Sequence, residues 1–436
     1  MRKISDSLFL FFLFILPFQT VYLLREPMIG GEKWQYGTIG IYASSLVLAI
    51  AILIVAISRE KEIQNISIGI RMETLWRERK TDAFLLLFVL WSGLSLLWAQ
   101  DAMLAMYSFC KILLVADAFV MTRDMVRRGK LRQVISVLLL AVVIQAGIGI
   151  GQFLMQESFR SSLLGTSAYE SWQAGTSVLK NDTGRFLRAY GTFPHPNIYG
   201  LFLAVGLLLV AHRIMSMTRG AEQTIERVVT VGVVPVILLG LILSFSRSAW
   251  AGFAIGFAFL MAQTIISGGR HIRMRLYATI SVVVLSSVIF SFILREAVFP
   301  RFDQATVGQE RSVTDRMTTY RDALGIICVH PLLGVGVGNM TAELIRLRPE
   351  QPLWDIQPAH DVPLLIWSEL GIPGLVLSLC FFGSLALPWL RKKNVPTLAG
   401  TFLVFLPSLL LDHFLWDSNF GLLFLFVALG ITTSDD

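Results

Sequence analysis

Residues 358–374 read PAHDVPLLIWSELGIPG, which places a histidine and an aspartate immediately before a long apolar stretch that itself carries Glu369. An imidazole at such a threshold can take or give a proton near neutral pH, and His360 is the candidate catalytic base. Asp361 and Glu369 are candidate supporting groups. A second stretch, RFLRAYGTFPHPNIYG at 185–200, offers Arg188, His195 and Asn197 at the mouth of another apolar run. Pro196 early in the run with Asn197 as a cap also describes a plain helix start. A third, LSFSRSAWAGF at 243–253, joins two apolar runs by little more than Ser246, Arg247 and Ser248. A guanidinium in so tight a turn either snorkels to water or meets an anion. A lipid diphosphate suits it, because arginine grips phosphate oxygens in bidentate fashion.

The stretch TDRMTTYRDALGIICVHPLLGVGVGNM at 314–340 adds Arg316, Arg321 and Asn339. Its Gly334, Gly336 and Gly338 resemble a nucleotide loop only superficially, since no Lys-Ser/Thr follows and no βαβ unit surrounds them. They read instead as a sharp turn or a close backbone approach. Lys111, in CKILLVADAFV, lies inside an apolar run, and an intramembrane lysine is a functional candidate by default. Asp412 and His413, in LDHFLWDSN, read as a short solvated loop.

The elements that must hold these residues are apolar helices. The chain of 436 residues is 55% hydrophobic and only 15% charged, with a mean hydropathy of +0.66, too little charge to cover a soluble surface of this size. Runs of about 20 apolar residues, enough for a hydrocarbon core of ~30 Å, recur along the whole length. The expectation is an all-α, polytopic integral membrane protein, a single transmembrane domain over residues 1–436 with about 12 helices. The first run, 8–24, has no small-residue cleavage site behind it and reads as a retained span. Lysine and arginine crowd the segments 59–80, 123–132, 212–227, 270–275 and 391–393, whereas the short loops between them in alternation hold only Arg25, Lys33 and Arg247. That bias predicts both termini in the cytoplasm. It also removes nucleic acid as the reason for the net charge of +7, which is spread over separate loops. Cys110 and Cys380 fall in predicted spans and leave Cys328 without a disulfide partner.

Two loops on the extracytoplasmic side, 155–196 and 295–360, are too long to be mere connectors. The second contains an expected amphipathic helix, capped by Thr314, striped by Met317, Tyr320, Leu324 and Ile327, and stopped at His330-Pro331. Residues 361–390 as one helix would measure ~45 Å, so GIPG predicts a break between a short outer helix at 361–370 and a remaining span at 375–390.

Taken in order, YGTFPHPNIYG, SFSRSAWAGF, DRMTTYRDALGIICVHPLLGVGVGN and AHDVPLLIWSELGIPG resemble the O-antigen ligase and polymerase family of bacterial membrane glycosyltransferases. The resemblance covers residues 185–375, within a family-like catalytic region of 185–390; the first half is similar only in hydropathy. It implies a twelve-span helical fold with a catalytic extracytoplasmic loop. It implies transfer of a glycan from undecaprenyl diphosphate to an acceptor, with no metal, nucleotide sugar or other cofactor. His360 looks like the family's essential loop histidine, Arg247 and Arg316 like its essential arginines, and Arg188 like a further one. The family commonly has asparagine after that histidine, where this chain has Asp361.

The expected activity is therefore an inverting glycosyl transfer on the extracytoplasmic side of the bacterial cytoplasmic (inner) membrane. Arg188, Arg247 and Arg316 would bind the diphosphate, and His360 would take the acceptor's proton. Lys111, His195, Asn197, Arg321, Asn339, Asp361 and Glu369 are the supporting set. The acceptor, whether glycan, lipid or protein, is not named by the sequence, and a ligase and a repeat-unit polymerase share the same donor. The alternative class is a lipid-linked glycan flippase or transporter, which calls for repeats and midplane charges. Only Lys111 sits at such a depth, and the outer placement of the other charged residues favours an enzyme.

Overall fold

The structure, a computed structural model, describes residues 1–63, 80–181, 184–217, 221–295, 307–391 and 398–433. Much of the basic segment 59–80, residues 392–393 of another, and the start of the second long loop at 296–306 lie outside the described residues. The helices are α1 Arg2–Ile15, α2 Ala43–Ile63, α3 Lys80–Leu94, α4 Ala102–Arg127, α5 Leu131–Met155, α6 Pro196–Ser216, α7 Ala221–Leu243 and α8 Arg247–Ser267. They continue with α9 Arg270–Ile293, α10 Val307–Val329, α11 Met340–Leu347, α12 Val362–Arg391, α13 Ala399–Leu403, α14 Leu406–Leu411, α15 Phe414–Asp417 and α16 Asn419–Ile431. Eight of the described helices are long and apolar enough to cross a membrane, and three shorter apolar stretches join them at Ala43–Ser58, Ala399–Leu411 and Asn419–Ile431. The protein is mostly helical and polytopic.

Where elements differ from expectation, the reason is local. The first run is helical only to Ile15; Pro17 follows, and Val21–Arg25 forms a strand antiparallel to Ile39–Tyr42. Proline cannot donate to a continuing helix, and the Val-Tyr-Leu-Leu that follows suits a strand as well as a span. Small hairpins also pair 28–29 with 32–33 and 178–181 with 184–187. The last two expected spans, 396–411 and 415–433, arrive as the pieces α13 to α16.

One helix lies at the centre. Residues of α6 are buried along nearly its whole length, as befits a helix that is apolar all round. It packs on α5, α7, α8, α9 and α13, and Phe202 meets Phe420 and Phe424 of α16 at 5.7 and 5.2 Å. Two ends of the bundle are chemically distinct. At one, Arg128 and Lys130 meet Asp6, Arg123 meets Asp82, and Arg132 and Arg213 share Glu226. The other end carries the starts of α6, α8, α12 and α16, and there the candidate site lies.

The expected break in 361–390 is present. Gly371 interrupts α12 with φ 67° and ψ −174°, a conformation essentially reserved for glycine. The glycine loop docks into this break. Val335 and Gly336 donate to the carbonyls of Ser368 and Glu369 at 3.0 and 2.8 Å, and Ile372 donates to Pro331 O at 3.0 Å. A side chain on Gly334 would come within 2.4 Å of the Glu369 backbone, and one on Gly371 within 2.1 Å of Leu332 O. The glycines therefore let one backbone cover the carbonyls that a broken helix leaves unpaired.

Candidate active site

A cavity of about 1070 Å³ opens at this end of the bundle. Into it the fold brings Arg188, from the loop before α6, Arg247, the first residue of α8, Arg316, on α10, and His360, just ahead of α12. His195, Asn197, Lys111 and Glu369 line it too. The remaining candidates fall elsewhere. Arg321 is exposed on α10. Asn339 is buried away from the cavity, where its amide accepts from Asp101 N at 2.7 Å and donates to Val337 O at 3.0 Å. Asp361 caps α12, accepting from Leu364 N at 2.8 Å, which accounts for an acidic residue at that position by helix capping.

Arg188 is buried, donating from Nε to Ser244 O at 2.8 Å and from Nη2 to Asn197 Oδ1 at 2.9 Å. Asn197 is thus not a cap; the capping side chain is His195, whose Nδ1 accepts from Asn197 N at 3.2 Å. The Asn197 amide is freed to donate to Asp412 Oδ2 at 2.9 Å. On α10 the buried face is Thr319, Asp322, Ala323 and Ile326 with Ile327, whereas Met317 and Leu324 are exposed. The helix also starts at Val307, so Thr314 lies inside it rather than capping it. This rotation presents Thr319 to His360, with Oγ1 3.4 Å from Nδ1, and Tyr320, whose hydroxyl lies 3.1 Å from both His360 O and Leu410 O and shares its one hydrogen between them. Arg316, one turn earlier, has a buried Nε with no hydrogen-bond partner among the described residues.

The segment 412–417 is the largest departure from the sequence reading. Asp412 is buried, and His413 stands in the cavity wall rather than in solvent. Its ring meets that of His360 edge to face, centroids 4.7 Å apart, and Tyr36 packs on its other side at 5.7 Å. His413 Nδ1 lies 2.8 Å from Asp417 Oδ2, and its backbone N–H donates to Asp412 Oδ1 at 2.9 Å. Burial alone would discourage charge on His413, but Asp417 and Asp412 outweigh it and raise its pKa to about 9. His360 goes the other way. Burial first, and the adjacent His413 charge second, lower it to about 4, so its imidazole is neutral and able to accept a proton. Burial and the Arg188 charge likewise disfavour a proton on His195. The signal for this wall was the i, i+4 pair His413 and Asp417 between apolar stretches.

Glu369 is buried, accepting from Gly338 N at 2.7 Å and Trp416 Nε1 at 2.8 Å. It ties the glycine loop to α15. Lys111 donates to Asp417 O at 2.8 Å and sits over the Tyr107 ring. His360, Asp412 and His413 hold their possible ligand atoms within 4.8 Å of one another. Zinc, with bonds of about 2.0–2.1 Å to imidazole, would want such atoms roughly 3.4 Å apart, so the cluster is looser than a closed metal site.

A histidine pair and three arginines around one cavity at the end of a helical bundle suit an anionic ligand. Residues 232–379, about a third of the chain, match the family model described as O-antigen ligase, and the match supports a likeness to that family. The match supports ligase-like or related polymerase activity in a bacterial membrane protein of polysaccharide biosynthesis. It contains Arg247, Arg316, His360 and Glu369, while Arg188 and the 412–417 wall fall outside it. No curated protein matches the chain.

Proposed function

We propose that the protein transfers a glycan from undecaprenyl diphosphate to an acceptor hydroxyl at the outer face of the bacterial cytoplasmic membrane. The observation that carries this is the convergence of Arg188, Arg247 and Arg316, from three separate segments, on one cavity with His360. The Arg316 Nε, buried without a partner among the described residues, suits an acceptor such as a phosphate oxygen. The guanidiniums bind the diphosphate and stabilise the charge that grows on it as the sugar–phosphate bond breaks. They supply the positive charge that a divalent ion supplies elsewhere, so the reaction runs without a metal. His360 accepts the proton of the acceptor hydroxyl as that oxygen attacks the anomeric carbon. Its Nδ1 faces Thr319, and Nε2 is the basic atom. Undecaprenyl diphosphate departs from the opposite face and the anomeric centre inverts. General-base help of this kind is worth about 10²–10⁴-fold.

With α1 and the three shorter apolar helices also crossing, the spans number about twelve, and both termini are cytoplasmic. The ion-paired end of the bundle then faces the cytoplasm and the cavity faces outward. The test is transfer by the purified chain in proteoliposomes from lipid-linked glycan to envelope acceptor. His360→Ala should abolish transfer and leave donor bound. Arg247→Lys should also fail, because a point charge loses the forked contact. Transfer at the wild-type rate by His360→Ala would remove it as the base.

A further inference from the structure

The cavity has two chemically different walls, and only one is accounted for by a diphosphate. The arginine wall comes from the segments before α6, at the start of α8 and on α10. A second set of lining residues comes from the hairpin at 21–42 and from α4, outside the family-matched stretch. It presents Tyr36, Tyr42, Tyr107 and Lys111, with Asp417 beside them. The two histidines stand between the walls, for Tyr36 touches His413, His413 touches His360, and His360 touches Thr319 on the helix of Arg316.

We infer that Tyr36, Tyr42 and Tyr107, with Lys111 and Asp417, form the subsite for a saccharide acceptor; this rests on the transfer reaction proposed above. A tyrosine offers a sugar an apolar face for its C–H groups and a hydroxyl for its O–H groups. Among the described residues neither the Tyr36 nor the Tyr42 hydroxyl has a protein hydrogen-bond partner. Lys111 spends one N–H on Asp417 O and keeps two donors. Among the described residues Asp417 Oδ1 is buried with no hydrogen-bond partner, an acceptor left for a hydroxyl. Donor and acceptor side by side are what neighbouring hydroxyls of a pyranose require, and a lipid chain or apolar peptide side chain would leave both unpaired. Position agrees with chemistry. An attacking hydroxyl must reach His360 from the side away from the departing phosphate, and the tyrosines approach His360 through His413 while Thr319, on the helix of Arg316, meets its Nδ1.

The test is saturation-transfer NMR on the full chain in lipid nanodiscs. The probes are free glucose, galactose, mannose, rhamnose and N-acetylglucosamine, with undecaprenyl diphosphate binding measured alongside. At least one sugar should bind the wild type. Tyr36→Phe with Tyr42→Phe, which keeps the rings, and separately Lys111→Met, should weaken it by about fivefold or more, as loss of one or two hydrogen bonds dictates. Lipid diphosphate binding should stay unchanged in these variants and fall in Arg247→Lys. Absence of any sugar signal from the wild type, or a signal indifferent to the tyrosines and Lys111, overturns the subsite. A wild type that binds sugar through these residues yet transfers no glycan would sink the enzymatic proposal and leave the subsite standing.

Discussion

Replacing His413 by glutamine removes one charge beside the base and should move the acid limb of the pH–rate profile. The rings are 4.7 Å apart, and two unit charges at that distance interact by about 3.5 kcal/mol at an effective dielectric of about 20. That would be worth more than two pH units at 1.36 kcal/mol each, an upper bound, because Asp412 and Asp417 offset the His413 charge at His360. Burial is the larger cause of the low His360 pKa and His413 the second, so removing His413 returns about one pH unit of the displacement. His413, with its pKa raised to about 9, stays protonated across the whole range tested. The other groups that interact with His360 are Asp412, Arg316, Asp417 and His195, none of which is substituted. The assay is transfer in proteoliposomes under kcat/KM conditions from pH 4 to 8, with the same donor and acceptor for both proteins, so that substrate ionisation cancels. The wild type should reach half its plateau near pH 4 and the variant near pH 5. An unchanged or lowered acid limb in an active His413→Gln protein would refute the electrostatic role of this pair.

The same two histidines give stability an optimum. His360 holds a lowered pKa of about 4 when folded, so stability is lost as pH falls from about 6.5 toward 4, where only the unfolded chain is protonated. His413 holds a raised pKa of about 9, so its contribution is full below about 6.5 and is lost as pH rises through 9. Thermal unfolding of the purified protein should therefore peak near pH 6.5, and a melting temperature that climbs steadily across this range would contradict it. Gly371→Ala should lower stability by roughly 1–3 kcal/mol from backbone strain alone, with more from the clash against Leu332 O. It should also abolish transfer, because the break orients Glu369 and the start of α12. A wild-type melting temperature would mean the break is not required.

Local punctuation was legible in the sequence and long-range proximity was not. The GIPG break, the end of α10 at His330-Pro331 and the apolar runs follow from residue types whose backbone preferences act over a few positions. The buried face of α10 did not follow, because in a bilayer an apolar side chain such as Met317 or Leu324 is as well placed against lipid as against protein. Asn197 reads equally as a cap or a ligand until Arg188 and Asp412 are seen on either side of it. Asp412 and His413 look solvated because short loops usually are, and nothing nearby in sequence shows that Tyr36 and Tyr320 close over them. The gathering of Arg188, Arg247, Arg316 and His360 was legible only as shared sidedness, since sidedness alone cannot say that they meet in one cavity.

The central position of α6 has a consequence for biogenesis. Synthesis delivers this helix, and the Arg188 and His195 at its head, well before α8 and α16 exist to enclose it. Until the segment 412–431 is made, the head of α6 lacks Asp412, to which Asn197 donates, and the His413 of the cavity wall. The cavity wall is therefore incomplete in every nascent intermediate that lacks the segment 412–417.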